Sequence, residues 1–301
     1  MTTAEVKAMA ALHPQKKKSF GRWFREVGWR HLVAWVVILY AIFPILYILS
    51  TSLSNDGSIQ NGTLFGAFNL SNYAELFTSK DYPFLTWAWN TVYIASIVAV
   101  VSVFMSALAA YAFSRLRFAG RRVGLLSLIL IQMFPSILGL VAIFGMLSTL
   151  TDFLPAIGLG THAGLILVYL GGSLGAGTYL MYGFFNTVPI EIDEAARMDG
   201  ASHAQIFFTI ILRLVAPILA VMALLSFIGT TSDFVLASIV LEKQESLTLA
   251  VGLGGLIGNP FSKDWAMFSA GAVLAATPIV ILFIALQKYI VSGLVGGAVK
   301  G

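Results

Sequence analysis

Four acidic residues, Glu191, Asp193, Glu194 and Asp199, crowd one short stretch of this 301-residue chain, with Arg197 among them and Ser202, His203 and Gln205 just beyond. Side chains of these types can move protons or pair with charges on another molecule. Proton chemistry needs a nucleophile or base converging with the acids, and no such cluster can be assembled from the chain's scattered acids and histidines. Docking needs only an ordered surface, and the order of residues specifies one. Val188-Pro189 sets a proline where a first helical turn tolerates it. Glu191, Asp193 and Glu194 then put negative charge in that turn, which the helix dipole favours. Ala195, Ala196, Arg197 and Met198 continue the helix, Gly200 can take the left-handed conformation that ends it, and Ser202-His203-Ala204-Gln205 matches a capping box that opens another. The stretch 188–212 is therefore expected to fold as helix, glycine bend, helix. Two adjacent alanines give it a small-residue surface that a partner protein can approach closely.

Other candidates are fewer. Asp233 follows Gly229-Thr230-Thr231-Ser232 inside an apolar run, where an ionisable group is a functional candidate by default. It either lines a translocation path or caps a helix break near the outer interface. Gly252, Gly254, Gly255 and Gly258, followed by Asn259, lack side chains and let backbone approach a partner or ligand closely. They are no phosphate cradle, since neither GxxxxGK[ST] nor a strand-bounded GxGxxG occurs. The four histidines, His13, His31, His162 and His203, form no HExxH motif and no pair at ligand spacing, so no metal site is expected. Cysteine is absent, which removes disulfides, thiolate metal sites and cysteine nucleophiles together.

What positions these residues is a bilayer. The chain is 58% hydrophobic and 11% charged, against about 25% charged in soluble domains. A spanning helix needs about 20 mainly apolar residues, and six such stretches are present, roughly 31–50, 88–114, 123–148, 163–186, 213–240 and 265–290. Their runs are continuous rather than alternating, which disfavours a β-barrel and makes an all-α polytopic membrane protein the expected fold class. With these spans, 15 Lys and Arg fall on one side and Lys80, Lys243 and Lys263 on the other. The positive-inside rule then puts both termini in the cytoplasm. The basic residues are not interleaved with aromatics on a soluble surface, which excludes a nucleic-acid reader.

The first span exceeds the 7 to 15 apolar residues of a signal peptide core and reads as an uncleaved anchor. Residues 1–30 read as a cytoplasmic amphipathic lead-in at the leaflet surface, 31–290 as the transmembrane domain, and 291–301 as a Gly-rich cytoplasmic tail. Asn61-Gly62 is a turn signal in the outside segment. Pro44, Pro135, Pro217 and Pro278 should bend four of the spans, and Gly171, Gly172 and Gly175 suit close helix packing.

The polar stretch resembles the signature of binding-protein-dependent ABC importer permeases: a glutamate and two alanines, three residues, a glycine, nine residues, then Ile-x-Leu-Pro. Glu194, Ala195, Ala196, Gly200, Ile210 and Leu212 are in register, and Arg213 stands where the family has its proline. The resemblance extends over nearly all of the chain from the first span onward to the MalG-type permeases of maltose and maltodextrin importers. It is carried by Tyr111-Ala112-Phe113-Ser114-Arg115, Gln132-Met133-Phe134-Pro135, Tyr169-Leu170-Gly171-Gly172, Leu249-Ala250-Val251-Gly252 and Ser292-Gly293-Leu294.

It implies a type I importer permease of the bacterial inner membrane, paired with a second permease, a dimeric ATPase and an extracytoplasmic sugar-binding protein. ATP and Mg would bind the ATPase, and this chain would carry no cofactor. Glu194, Ala195, Ala196, Arg197, Asp199 and Gly200 would form the coupling elbow in an ATPase cleft, with Glu194 facing a basic residue. The outside loop from Gly252 to Asn259 would reach the binding protein, and the tail would extend toward the ATPase. Maltose or maltodextrin is the expected cargo, with another disaccharide such as trehalose as the alternative. An intramembrane enzyme would need the catalytic cluster already found missing. A stand-alone secondary transporter would show related halves or membrane-buried charges.

Overall fold

A computed structural model of the chain describes residues 20–54, 68–258 and 264–298, and every regular element among them is helical. The Asn61-Gly62 turn, Asn259 and residues 1–19 lie outside the described residues. Short helical turns at Phe20–Trp23 and Phe24–Gly28 run into α1 (Trp29–Ser52) without a break, so the described part of the lead-in continues the first span's helix. There follow α2 (Ser71–Thr78), α3 (Phe84–Arg115), α4 (Arg121–Gln132), α5 (Leu140–Phe153), α6 (His162–Phe185), α7 (Ile190–Met198), α8 (Ala216–Ser232), α9 (Val235–Val240), α10 (Leu249–Gly258) and α11 (Trp265–Ala298). Among the described residues, five helical stretches are long and apolar enough to cross a membrane. A sixth is counted if the pair His203–Leu214 and Ala216–Ser232, bent by 78°, is one span.

The prolines do not all act as expected. Pro44 and Pro278 lie within unbroken helices. Pro135 instead splits the third stretch: α4 ends at Gln132, Pro135 is extended, and a 3-10 turn at Ser136–Gly139 leads into α5. Pro217 occupies the first turn of α8, where its missing N–H is no loss. The fifth span therefore starts three residues later than residue 213, and Pro217 marks its beginning although Arg213 holds the signature's proline position. The last helix overruns the boundary expected at 291 and continues to Ala298.

Lipid is as apolar as leucine, so helices associate in it through close fit and polar pairs rather than by escaping water. The longest buried face, on α3, shows this. Ala95, Ala99, Ser102, Ser106, Ala107 and Ala110 are buried there against α6 and α8. Ser102 Oγ lies 3.1 Å from Ser226 Oγ, and a Cβ at Gly177 would come within 2.6 Å of Ser106 Oγ. Gly175 packs equally tightly on Gln132, whose amide donates to the Gly172 carbonyl at 3.1 Å. The expected packing role thus holds at Gly175, whereas Gly171 and Gly172 have open space where a side chain would be.

At the start of α3, polar side chains fasten the segment that precedes α10. The Trp87 indole N–H donates to the Gln244 carbonyl at 2.7 Å, Asn90 donates to the Glu245 and Leu247 carbonyls, and Thr91 Oγ1 accepts from the Leu249 N–H. His162, at the start of α6, contacts both the Tyr93 hydroxyl and the Ser246 carbonyl.

Candidate functional site

The polar stretch folds as helix, bend and helix. Pro189 sits at the N-cap of α7, one place ahead of the first turn, with Glu191 and Asp193 in that turn. Gly200 has φ of +84°, the left-handed conformation that a β-carbon disfavours. There the chain reverses: the Gly200 and Ala201 N–H groups donate to the Arg197 and Ala196 carbonyls, which the helix would otherwise leave open. The capping box is complete, with the Ser202 N–H on Gln205 Oε1 at 2.8 Å and the Gln205 N–H on Ser202 Oγ at 3.3 Å. A wide helical turn, Ile206–Ile211, carries the chain from there to Leu212–Leu214.

The elbow has two faces. Ala196, Ile206, Phe207 and Ile211 are buried in one cluster with Ala107 and Tyr111 of α3 and Met181 and Phe185 of α6. Glu194, Ala195, Arg197, Asp199 and Gly200 are exposed, and Met198 is 89% exposed. The two alanines expected to form one small surface are therefore divided. Helical geometry turns consecutive residues about 100° apart, so Ala195 faces outward and Ala196 meets the core.

Sequence reasoning treated Asp193 as a charge for the helix dipole. It is instead fully buried and paired with the Arg115 guanidinium at the end of α3, both side chains at 4% exposure or less. Arg115 also donates from Nη2 to the Val188 carbonyl at 2.8 Å. Removing one partner from such a pair costs about 3–5 kcal/mol, because the other charge stays buried alone. Its partner lies on a different helix, so no local pattern around Asp193 marked the burial.

Asp233 ends α8, and its Oδ1 accepts from the Tyr169 hydroxyl and from the Ala237 N–H, each at 3.0 Å. It thereby joins the two helices flanking the break and tethers them to α6. With Ser136, Tyr169 and Gly172 it also lines a cleft of about 540 Å³, beside the break that Pro135 makes.

The glycine-rich outer segment is a helix rather than the expected loop. Within α10, Leu249, Leu253 and Leu256 form a buried stripe at helical spacing. Gly252 and Gly254 are contact points: a Cβ would come within 2.3 Å of the Trp87 ring and 2.5 Å of Phe234, respectively. Gly255 and Gly258 face open space.

The profile of the family described as "Binding-protein-dependent transport system inner membrane component" matches residues 102–295, which include the whole elbow. The maltose/maltodextrin transport system permease protein MalG of Vibrio vulnificus is 38% identical over 282 residues, covering 90% of this chain and 95% of the relative. MalG of Escherichia coli K12 is 36% identical over 305 residues, covering 97% and 100%. Among solved structures, a chain of a bacterial ABC transporter that imports the acidic polysaccharide alginate superposes with a TM-score of 0.75 at 25% identity, covering 91% of this chain and all of that one. A chain of the alginate transporter in complex with a pentasaccharide-bound periplasmic protein shares the fold, at a TM-score of 0.66 and 15% identity.

Proposed function

The chain belongs to the binding-protein-dependent transport system inner membrane components, the permease subunits of ABC importers, and from that membership we propose that it forms half of the translocation path of a sugar importer. Subunits of this family are multi-pass membrane proteins without catalytic activity of their own, and they work with a periplasmic binding protein. The rest of the assembly is our reading: a second permease and a pair of ATPase subunits that bind ATP and Mg.

The observation that supports the reading best is the exposed elbow. Glu194, Ala195, Arg197, Met198, Asp199 and Gly200 present charge, small residues and one apolar side chain on the outside, while the opposite face is locked into the membrane core. An ATPase cleft would receive this surface, with Glu194 against a basic residue. ATP-driven closure of the ATPase pair would draw two such elbows together and turn the cavity outward, and hydrolysis would reset it. The bias of Lys and Arg supports a cytoplasmic side for the elbow and both termini. On the outer side, α10 with Gly255 and Gly258 would meet the sugar-loaded binding protein. The cleft at Asp233 lies between two broken helices, and irregular backbone is tolerated at membrane depth where it lines a cavity; we assign it to the path.

Maltose or a maltodextrin is the cargo this reading favours, on the strength of the MalG relatives, with trehalose as the second choice. The test is uptake by the assembled transporter in proteoliposomes, with a radiolabelled panel of maltose, maltotriose, trehalose and alginate oligosaccharides alongside short peptides and inorganic ions. ATP-dependent accumulation of maltose or maltotriose is expected. Accumulation of ions or peptides with no sugar in the panel transported would overturn the proposal.

A further inference from the structure

Arg115 is the last residue of α3 and Asp193 lies in the first turn of α7, and their ion pair joins Nε to Oδ2 where both side chains are shut off from solvent. The same guanidinium holds the Val188 carbonyl through Nη2, and the Val188 N–H in turn donates to the Phe185 carbonyl at the end of α6. One planar group therefore grips both the peptide ahead of the elbow and the first turn of its helix, an arrangement that suits the rigid fork of arginine and not the single ammonium of lysine. Neither Asp193 oxygen nor Arg115 Nε has a hydrogen-bond partner among the described residues, so the charge of Arg115 is what compensates the buried carboxylate.

Stability alone does not call for this pair. A buried ion pair is often no more stabilising than apolar residues of the same volume, and the cluster around Ala196, Ile206, Phe207 and Ile211 already holds the elbow to α3 and α6. Apolar attraction is non-directional, whereas the ion pair to Asp193 and the hydrogen bond to Val188 tie one guanidinium to two named points on the elbow. We propose that Arg115 and Asp193 are positioning residues of the transport cycle, whose pair makes the elbow and α3 move as one body so that displacement of the elbow reaches the membrane helices. This rests on reading the elbow as the ATPase dock.

The test compares wild type, the double variant Arg115→Met/Asp193→Leu, and Arg115→Lys in the assembled transporter with binding protein, measuring complex yield, ATP hydrolysis and uptake of the panel sugar that wild type carries. The double variant should assemble and hydrolyse ATP, while sugar moved per ATP falls by about tenfold. Arg115→Lys keeps a charge opposite Asp193 but loses the Val188 bond, and should show a smaller drop in the same ratio. Charge reversal, Arg115→Asp/Asp193→Arg, should recover part of the ratio. Wild-type uptake per ATP in the double variant, or in Arg115→Lys if the double variant does not assemble, would overturn the proposal. Failure of wild type itself to hydrolyse ATP in response to loaded binding protein would count against the docking reading instead.

Discussion

Asp193 and Glu194 are neighbours of like charge with opposite surroundings. One is buried against Arg115, and the other stands exposed on the elbow. Their difference follows from the helical turn between them, which is why Asp193 could be misread from sequence as a simple dipole acid. Capping signals were more legible, since Ser202 and Gln205 satisfy each other's backbone and Gly200 takes its positive φ within a few residues of chain. A buried pair 78 positions apart in sequence leaves no such local mark. Because the Glu194 side chain is exposed on the elbow, Glu194→Lys should leave the amount of protein in the membrane unchanged while repelling a basic ATPase residue. Recovery of the ATPase with the purified permease is expected to fall by about tenfold or more, and unchanged recovery with wild-type uptake would sink the role given to Glu194.

Helices were readable where apolar runs are long, and their interruptions were not. A proline inside a span can bend, break or begin a helix depending on what surrounds the freed backbone; Pro135 and Pro217 do the second and third, while Pro44 and Pro278 leave their helices continuous. The family resemblance implied an outside loop from Gly252 to Asn259, but the leucine stripe of α10 outweighs a glycine penalty of about 1 kcal/mol per residue. Two of those glycines are there for contact, and this separates two otherwise identical substitutions. Gly252→Ala drives a methyl into the buried Trp87 ring and should destabilise by about 1–3 kcal/mol. Gly255→Ala, which meets nothing, should be neutral or stabilise by about 0.4–1 kcal/mol. Thermal unfolding of the two variants in detergent checks the ordering, and equal midpoints would contradict the packing assigned to α10.

Across the whole molecule, composition and charge bias gave a multi-span membrane protein, and one polar elbow gave the family that the comparisons show. Cargo is less legible, since the polar groups facing the cleft, Asp233, Tyr169 and Ser136, are few and partly committed to holding helices together. In the proposed assembly the exposed elbow is where an ATPase grips this subunit. The chain contains no cysteine, so Met198→Cys, at a side chain 89% exposed on the elbow, gives this subunit one reactive thiol. Cross-linking from that thiol in the assembled transporter measures the contact directly. A cross-link to the ATPase subunit and protection of the thiol from a bulky maleimide are expected; full maleimide labelling in the intact complex with no cross-link to the ATPase would show that the ATPase does not sit there.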